Sequence, residues 1–378
     1  KTFSVGYRDQ ADGFNELAYA RRVARDLGTE HHELILGAGA HLELLPSILW
    51  HYDEPNGEPT SVLVYQLCQF TSRLVKVAVS GTGGDEIFAG YPRYGALRLR
   101  EMYRRLPRSI RTRLIERVVA GWPESTRGNR FVRRAKRFIA GAGLPAEQAY
   151  LSWVSLLQKD LRAQLLSEEV RRLAEWPDGD RMLHAYLTAP SARPLLDRAT
   201  SLDVEQYLPE YQLTYMDRMS MAHGLEVRAP LADYTLADFA TSLPIEYRLR
   251  KGRSKHIFKE VATRWIDPAI ANRRKVGFDS PVGQWFKDEL RPFLAAFMAR
   301  DEVRRTGLLD PAAVDRLIHA HLSGSIDASL PLWSLVTLEA WHRMYIEDRI
   351  VDGRGLRLTD LRGVPRDLAA AAGAVEAR

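Results

Sequence analysis

One segment of this chain constrains the fold more than any other. The β-branched run 75–79 leads into a glycine-rich turn and then into two acids, Ser80-Gly81-Thr82-Gly83-Gly84-Asp85-Glu86. A short β-branched run is typical of a strand buried in a parallel sheet, and open α/β sheets bind ligands at the carboxyl ends of such strands. The segment therefore predicts an α/β fold with a ligand site at this turn.

The residue types in the turn indicate a phosphate ligand. Glycine lets the backbone approach a ligand closely and adopt positive φ, and Ser80 can donate a hydrogen bond to a ligand oxygen. Asp85 and Glu86 supply hard oxygen ligands of the kind that Mg²⁺ takes together with phosphate. A glycine-rich turn with a solvated acidic cap is the alternative. The segment is not a Walker A loop, since no Gly-Lys-Ser/Thr follows.

The first 95 residues alternate in the α/β manner. Strand patterns at 3–6, 32–36 and 75–79 are separated by helical patterns at 14–27, 40–52 and from 60 onward. Asp12 is a candidate cap for the first helix, with Gly28 after its end, and Thr60 or Ser61 for the third. This alternation predicts βαβ units with right-handed crossovers and a parallel sheet.

Beyond Tyr94 the pattern becomes helical. Helical periodicity covers 96–106, 111–120, 146–157, 168–175 and 330–345, among other segments, and no further strand is predicted. The organisation expected is one domain over residues 1–350, in which an α/β region spans 1–95 and a helical region spans 96–350. A flexible tail rich in Ala, Gly and Arg follows at 351–378.

Positive charge is concentrated in residues 98–140. This segment carries +11, whereas the whole chain carries +6, so the remainder is net acidic. A basic block can bind nucleic acid or an acidic partner. The alternative, which we favour, is an insertion of helices with solvated arginines, because the segment lacks the aromatic pattern of an RNA-binding sheet.

The single cysteine, Cys68, lies in an apolar helical pattern. It cannot form an internal disulfide, so we interpret it as a buried thiol in a reducing compartment. No apolar run is long enough to span a bilayer, and the first residues lack the apolar core of a signal peptide. The expectation is a cytoplasmic protein with no membrane partner.

Several stretches resemble one family in the same order. Ser-Gly-x-Gly-Gly-Asp-Glu-x-Phe-x-Gly-Tyr at 80–91 is similar to the second signature of the asparagine synthetase family. Further stretches that resemble family blocks are Phe3–Gly6, Leu27–Glu33, Asp53-Glu54-Pro55, Asp217–Leu231, Lys251–Lys259 and Lys275–Phe278. The resemblance covers about residues 1–345 and implies the synthetase domain of a glutamine-dependent asparagine synthetase.

The resemblance implies an adenine-nucleotide α-hydrolase-like (ATP pyrophosphatase) sheet, with ATP and Mg²⁺ as cofactors. Such a domain adenylates the aspartate side chain, and ammonia from the glutamine of a glutaminase domain then attacks the acyl-adenylate. Matched residue by residue, Val5, Ser80, Gly81, Gly83 and Gly84 would bind the nucleotide. Asp85 would hold Mg²⁺ on pyrophosphate, and Lys255 would stabilise charge that develops in both steps. A homodimer is compatible with the resemblance.

Four further residues are candidates for contact with the acceptor substrate: Thr60, Ser61, Thr82 and Glu86. Thr60 and Ser61 would sit at a helix N-terminus, where anions bind readily, although capping alone explains them equally well. Glu226 and Arg228 are expected to form a structural ion pair. Thr82 departs from the acidic residue of many family members, which leaves the acceptor open.

The family's pyrophosphate loop, Ser-Gly-Gly-x-Asp-Ser, precedes the strand that matches Phe3 and is not in the sequence, and neither is an N-terminal cysteine nucleophile. We therefore expect a fragment or a degenerate homologue whose sheet has an open edge. The 378 residues alone are expected to form no acyl-adenylate. A β-lactam synthetase-like or peptide cyclase-like ligase and a non-catalytic nucleotide-binding homologue remain alternatives.

Overall fold

Four of the seven strands pair in parallel. The computed structural model describes residues 1–7, 15–37, 42–122, 130–173, 179–273, 277, 280–361, 364 and 376–377. Strand β1 (Thr2–Tyr7) runs parallel to β2 (His31–Leu36), with Thr2 opposite His31. Strand β3 (Val77–Val79) runs parallel to β4 (Glu226–Arg228), with Val77 opposite Glu226. The strands predicted within the first 95 residues are present as β1, β2 and β3, with helices between them.

Most of the remaining chain is helical. The α-helices are Leu17–Asp26, Leu45–Tyr52, Thr60–Thr71, Gly84–Ile87, Pro92–Arg105, Arg108–Ile110, Glu116–Ala120, Arg130–Ala142, Ala146–Val154, Lys159–Leu165, Glu168–Leu173, Gly179–Thr188, Leu195–Leu202, Thr214–Met221, Tyr234–Ser242, Ile245–Arg248, His256–Ala262, Pro268–Ala271, Val282–Lys287, Arg291–Phe297, Arg300–Thr306, Pro311–Leu322 and Ser329–His342. The π-helical segments are Arg111–Ile115, Asp203–Leu213 and Arg343–Glu347, and the 3-10 turns are Pro230–Ala232 and Leu358–Asp360. Within the described residues, no helix is long and apolar enough to cross a membrane.

The prediction of no strand beyond Tyr94 is wrong. Strand β4 pairs with β3, β5 (Leu249–Arg250) pairs with β6 (Arg253–Ser254) in a hairpin, and β7 (Glu376–Ala377) pairs antiparallel with β2. These strands are two or three residues long, and charged residues flank the single apolar residue of β4. Sequence periodicity cannot detect strands this short, because they depend on a partner distant in the chain.

The strands β1 and β3 lie in separate sheets of the described residues. β1 pairs with β2 and β3 pairs with β4, but β1 and β3 do not pair with each other. Val77 and Val79, on one face of β3, are 47% and 73% exposed, which is unusual for β-branched residues of a parallel sheet. The single parallel sheet predicted from the sequence is therefore not formed by the described strands, because β1 and β2 lie in one sheet and β3 and β4 in another.

The main hydrophobic core joins the α/β region to the C-terminal helices. It includes Leu36 from β2, Leu63 from the helix Thr60–Thr71, Phe286, and Trp333 from Ser329–His342, all fully buried. Cys68 is buried in the same core, and burial raises the pKa of its thiol to about 12. This agrees with the interpretation of an inert buried thiol.

The flexible tail predicted from 351 onward is wrong for the portion of it that the structure describes. Leu358, Leu361 and Val364 are buried in the main core. The Ser47 hydroxyl donates hydrogen bonds to the carbonyl oxygens of Gly353 and Leu356, at 3.3 and 3.0 Å. Widely spaced leucines in an Ala/Gly-rich stretch have no helical period, so the sequence did not reveal their burial.

Helix boundaries differ modestly from the predictions. The first helix begins at Leu17 and the second at Leu45, whereas the predictions had them begin at 14 and 40. The proposed cap Asp12 lies outside the described residues, as do Lys275, Val276 and Phe278 of the last family-like block. Gly28 follows the first helix with φ of 65°, the left-handed conformation that glycine adopts after helix ends.

Candidate active site

The turn after β3 is held against the end of β4. The backbone N–H of Ser80 donates to the carbonyl oxygen of Arg228 at 2.8 Å. Gly83 has φ of 90°, and a Cβ there would lie 3.0 Å from the side chain of Ala232. Both the conformation and the close approach favour glycine. The short helix Gly84–Ile87 then begins, carrying Asp85 and Glu86 in its single turn.

Asp85 and Lys255 form an ion pair at this turn. The Lys255 Nζ lies 3.0 Å from Asp85 Oδ1, and both side chains are about one-fifth exposed. Lys255 adopts the left-handed conformation, φ 52°, immediately before the helix His256–Ala262, and its N–H donates to the Phe88 carbonyl oxygen at 3.2 Å. The structure thus brings together the two residues predicted to be catalytic, which lie 170 positions apart in the chain.

Gly90 allows this close approach. Its N–H donates to the carbonyl oxygen of Asp85 at 2.7 Å. A Cβ at Gly90 would overlap Asp85 Oδ1 and Lys255 Cε and would lie 2.9 Å from the Cα of Asp85. Because one of these atoms belongs to the backbone, a rotamer change cannot relieve the overlap.

We expect Gly90→Ala to lower the free energy of unfolding by about 1–3 kcal/mol, as overpacking commonly does. Gly95→Ala is the matched control, since it lies in the helix Pro92–Arg105 with nothing within 4 Å of the added methyl group. That control should be more stable than the wild type by roughly 0.5–1 kcal/mol. Urea unfolding measures both variants, and a Gly90→Ala protein as stable as the wild type would contradict the packing argument.

Glu86 points away from the ion pair and into the protein. It is 1% exposed, and it accepts a 2.5 Å hydrogen bond from the Tyr91 hydroxyl. Burial raises the pKa of its carboxyl group. Arg93 stacks on Tyr91, with its guanidinium carbon 3.9 Å from the ring centre. Glu86 therefore belongs to a buried polar cluster behind the turn.

Thr82 and Ser80 bond to each other in the turn. The Ser80 hydroxyl donates to the Thr82 hydroxyl oxygen at 2.9 Å. Gly81 has open space around it, since a methyl group added there would have nothing within 4 Å, and one added at Gly84 would lie 3.7 Å from Lys255 Nζ. The turn thus carries two mutually bonded hydroxyl groups directly before the helix that carries Asp85.

Val5 lies on β1, in a different sheet from the strand β3 that leads into the turn. It is partly buried and packs on the main core. A cavity of about 320 Å³ runs beside it, with Phe3, Tyr19, Ile270 and Arg273 among the lining residues. The nucleotide role predicted for Val5 and for the turn residues remains a prediction.

Thr60 and Ser61 do not cap their helix, which corrects the prediction. The N-cap position is Pro59, and the helix begins at Thr60. The Thr60 hydroxyl donates to a Glu58 carboxylate oxygen, and the Ser61 hydroxyl donates to the Glu58 carbonyl oxygen, both at 3.0 Å. The helix N-terminus is therefore next to the protein's own carboxylate, and both hydroxyl-bearing residues are buried.

Sequence reasoning missed the buried partner of Arg93. Asp203 accepts hydrogen bonds from Arg93 Nε and Nη2, at 3.0 and 2.7 Å, and a short one from the Tyr94 hydroxyl. Asp203 is 2% exposed and lies in the π-helical segment. Nothing in the sequence around Asp203 distinguishes it from an ordinary helical acid.

Glu226 and Arg228 of β4 do pair, as predicted, at 3.5 Å.

The residues present suit Mg²⁺ held mainly by a phosphate ligand. Within the described stretches of the chain, no group of three or more His, Cys, Asp or Glu residues could hold a metal ion alone. Asp85 is the one carboxylate of the turn that keeps partial exposure, since Glu86 is buried. Proteins commonly bind Mg²⁺ through one or two carboxylates together with substrate phosphates, which this donor set fits.

Comparisons with known proteins agree with the motifs. The family model described as asparagine synthase matches residues 1–343. A Bacillus subtilis protein, asparagine synthetase [glutamine-hydrolyzing] 1, is 27% identical over 92% of this chain and 53% of its own length. A relative from Mycobacterium tuberculosis is also 27% identical, over 93% of this chain and 51% of its own. The Penicillium rubens amidase chyE is 23% identical over 82% of this chain and 48% of its own length. The chain spans about half the length of the curated relatives it matches.

Proposed function

Because this chain belongs to the asparagine synthase family, we propose that it is the synthetase portion of an ATP-dependent ligase that forms an amide from a carboxylate and ammonia. The acceptor proposed is the aspartate side chain, and the products are asparagine, AMP and pyrophosphate. Ammonia would come from glutamine through a glutaminase domain, as the names of the Bacillus subtilis relatives suggest. The observation that carries the proposal is the Asp85–Lys255 pair at the glycine turn.

The chemistry explains why the reaction needs these residue types. A carboxylate is a poor electrophile, so one of its oxygens first attacks the α-phosphorus of ATP and the bond to pyrophosphate breaks. Ammonia then attacks the acyl carbon, loses a proton, and expels AMP. Mg²⁺ bound with the phosphates would neutralise charge on the departing pyrophosphate.

Asp85 and Lys255 would have different electrostatic roles in this reaction, since Asp85 would bind a cation and Lys255 would neutralise negative charge. Asp85 would hold the cation on pyrophosphate, and Lys255 would neutralise the negative charge that develops on the phosphoryl group and later on the tetrahedral acyl centre. The turn glycines, with Ser80 and Thr82, would approach the nucleotide through backbone N–H and hydroxyl groups. Lys255 is held in a fixed backbone conformation at a helix start, so little reorganisation is needed.

The residue at position 82 leaves a second class of acceptor substrate open. Its hydroxyl is bonded to Ser80, and threonine supplies no carboxylate where many family members have an acidic residue. A related ligase that activates a different carboxylate, in the manner of a β-lactam synthetase or peptide cyclase, would use the same Asp85–Lys255 pair. The acceptor is therefore tested directly.

The test is pyrophosphate release by the natural full-length protein with ATP, Mg²⁺, ammonia and either L-aspartate or L-glutamate. We expect pyrophosphate release that depends on aspartate and is matched by an equal amount of AMP. Much less pyrophosphate should be released with glutamate. Formation of ADP and phosphate instead would contradict adenylation. If neither acid supports activity but another carboxylate does, the proposal of an ATP-dependent ligase stands and aspartate is wrong as the acceptor.

A further inference from the structure

A second cavity lies beside the arginine-rich segment. It encloses about 570 Å³, and neither Asp85 nor Lys255 is among its described lining residues. This volume lies within the range of small-molecule sites. One wall is the helix Arg130–Ala142, which the sequence suggested was merely solvated. The charged residues that line the cavity are Glu58, Arg93, Arg133, Lys136, Arg137 and Asp327.

Two of the lining arginines have their charge balanced by buried carboxylates. Arg93 is paired with Asp203 at 2.7 Å. Arg133 is paired with Asp327 at 3.0 Å, and Asp327 is 3% exposed. The N–H of Ser329 also donates to Asp327, at 3.1 Å, which fixes this carboxylate. Arg93 and Arg133 therefore shape the wall of the cavity without adding uncompensated charge.

Arg137 is different. Its Nη2 donates to the carbonyl oxygen of Ser155 at 2.8 Å, and no carboxylate of the described residues lies within ion-pairing distance of it. Burial lowers the pKa of its guanidinium, the cations Arg133 and Arg93 lower it further, and the Glu58 carboxylate of the same cavity wall raises it. A desolvated guanidinium with only a neutral carbonyl acceptor is costly, and an anionic group bound next to it would lower that cost.

The helix that carries Arg137 is fixed in place. The Trp153 indole N–H donates to the Arg137 carbonyl oxygen at 3.1 Å. At Gly141 an added Cβ would overlap the side chains of Trp153 and Ser152, so the helix lies directly on this tryptophan. Arg137 is thus presented to the cavity from a rigid position, as a binding group must be.

The rest of the lining is largely apolar. Trp153, Leu156, Leu161 and Leu330 all face the cavity. Pro59, directly before the twelve-residue helix Thr60–Thr71, is also in the wall, next to Glu58. An apolar lining with a few fixed polar groups is the usual composition of a ligand site.

We propose that this cavity binds a small organic carboxylate, with its acid group on the Arg137 guanidinium and its apolar body against Trp153 and Leu156. A guanidinium binds a carboxylate through two parallel charge-assisted hydrogen bonds, which are stronger than neutral ones. The site is separate from the proposed amide-forming centre and does not depend on that function. The cluster of Arg93, Tyr91 and Glu86 connects the two regions.

The experiment is calorimetric titration of the 378-residue chain with 3-phenylpropionate and with 3-phenylpropanamide, which has the same shape and no charge. We expect saturable binding of the acid with a dissociation constant below about 1 mM, and at least tenfold weaker binding of the amide. Arg137→Gln should weaken binding of the acid about tenfold or more. Arg113→Gln removes an exposed arginine of the same segment and should leave the affinity unchanged.

A second variant guards against loss of folding. Leu330→Trp fills the cavity while every lining charge stays, and it should prevent binding in a protein whose circular dichroism is native. Equal affinity for the acid and the amide would overturn the charge-based proposal. Absence of binding of the acid up to about 10 mM would overturn the site itself.

Discussion

Replacing Asp85 by Asn is expected to lower ATP–pyrophosphate exchange in the natural full-length protein by roughly 10²- to 10³-fold, the size of effect found when one preorganised electrostatic group is removed. Asn keeps the shape and an acceptor oxygen but loses the charge that would hold the cation on pyrophosphate. Asp85 is paired with Lys255 at 3.0 Å, so the variant also leaves Lys255 without its carboxylate.

The fold should survive this change. The pair is only about one-fifth exposed, so its loss should cost more than the roughly 1 kcal/mol of a surface pair and at most the roughly 3–5 kcal/mol of a buried one. Urea unfolding should therefore show a moderate loss of stability, whereas exchange falls far more steeply. Asp301→Asn is the matched control, since Asp301 is 92% exposed and bonds only to the neighbouring Arg304 among the described residues. Exchange close to the wild-type rate in Asp85→Asn would remove Asp85 from the mechanism.

The second large effect is expected at Lys255. If Lys255 neutralises charge that appears only in the transition states, Lys255→Ala should lower kcat about 10²- to 10³-fold and change KM for ATP by only a few-fold. Steady-state kinetics with varied ATP separates these quantities. A rise in KM with kcat unchanged would instead assign Lys255 to ground-state binding.

Lys251 provides a close control for this variant. Lys255 and Lys251 both adopt the left-handed conformation, with φ of 52° and 48°. Alanine at either position retains the backbone strain of a residue with a Cβ. Lys251 is exposed in the β5–β6 turn, and its replacement should leave kcat unchanged. A loss of turnover in both variants would indicate that the hairpin conformation matters more than the Lys255 charge.

The buried cluster behind the turn shows where sequence reasoning was incomplete. Glu86 follows Asp85 directly, and both looked like exposed acids suited to a metal. The short helix Gly84–Ile87 rotates successive side chains by about 100°, which turns Glu86 toward Tyr91. Adjacent identical charges can thus have unrelated environments, and the sequence did not distinguish them.

The arginine-rich segment shows the same limit on a larger scale. Thirteen arginines between 98 and 140 indicate a basic surface. Arg133 and Arg137 nevertheless line a cavity, because the helix Arg130–Ala142 packs on Trp153 and faces the residues 326–331. The number of arginines in a segment gives its charge, but it does not show which of their guanidinium groups are desolvated.

The sequence by itself determined the local features of this protein. The strand at 77–79, the glycine turn after it and the helical character of most of the remainder follow from local propensities and from glycine's conformational freedom. The order of the motifs indicated the family, because that order can be read along the sequence without knowing which residues meet in the fold.

Only the tertiary structure decided which distant residues meet. The pairing of Lys255 with Asp85, of Asp203 with Arg93 and of β4 with β3 joins positions more than 100 residues apart. A three-residue strand or a single buried acid is stable only because its partner removes it from water and satisfies its polar groups. That condition depends on packing in three dimensions, and no local pattern of residues encodes it.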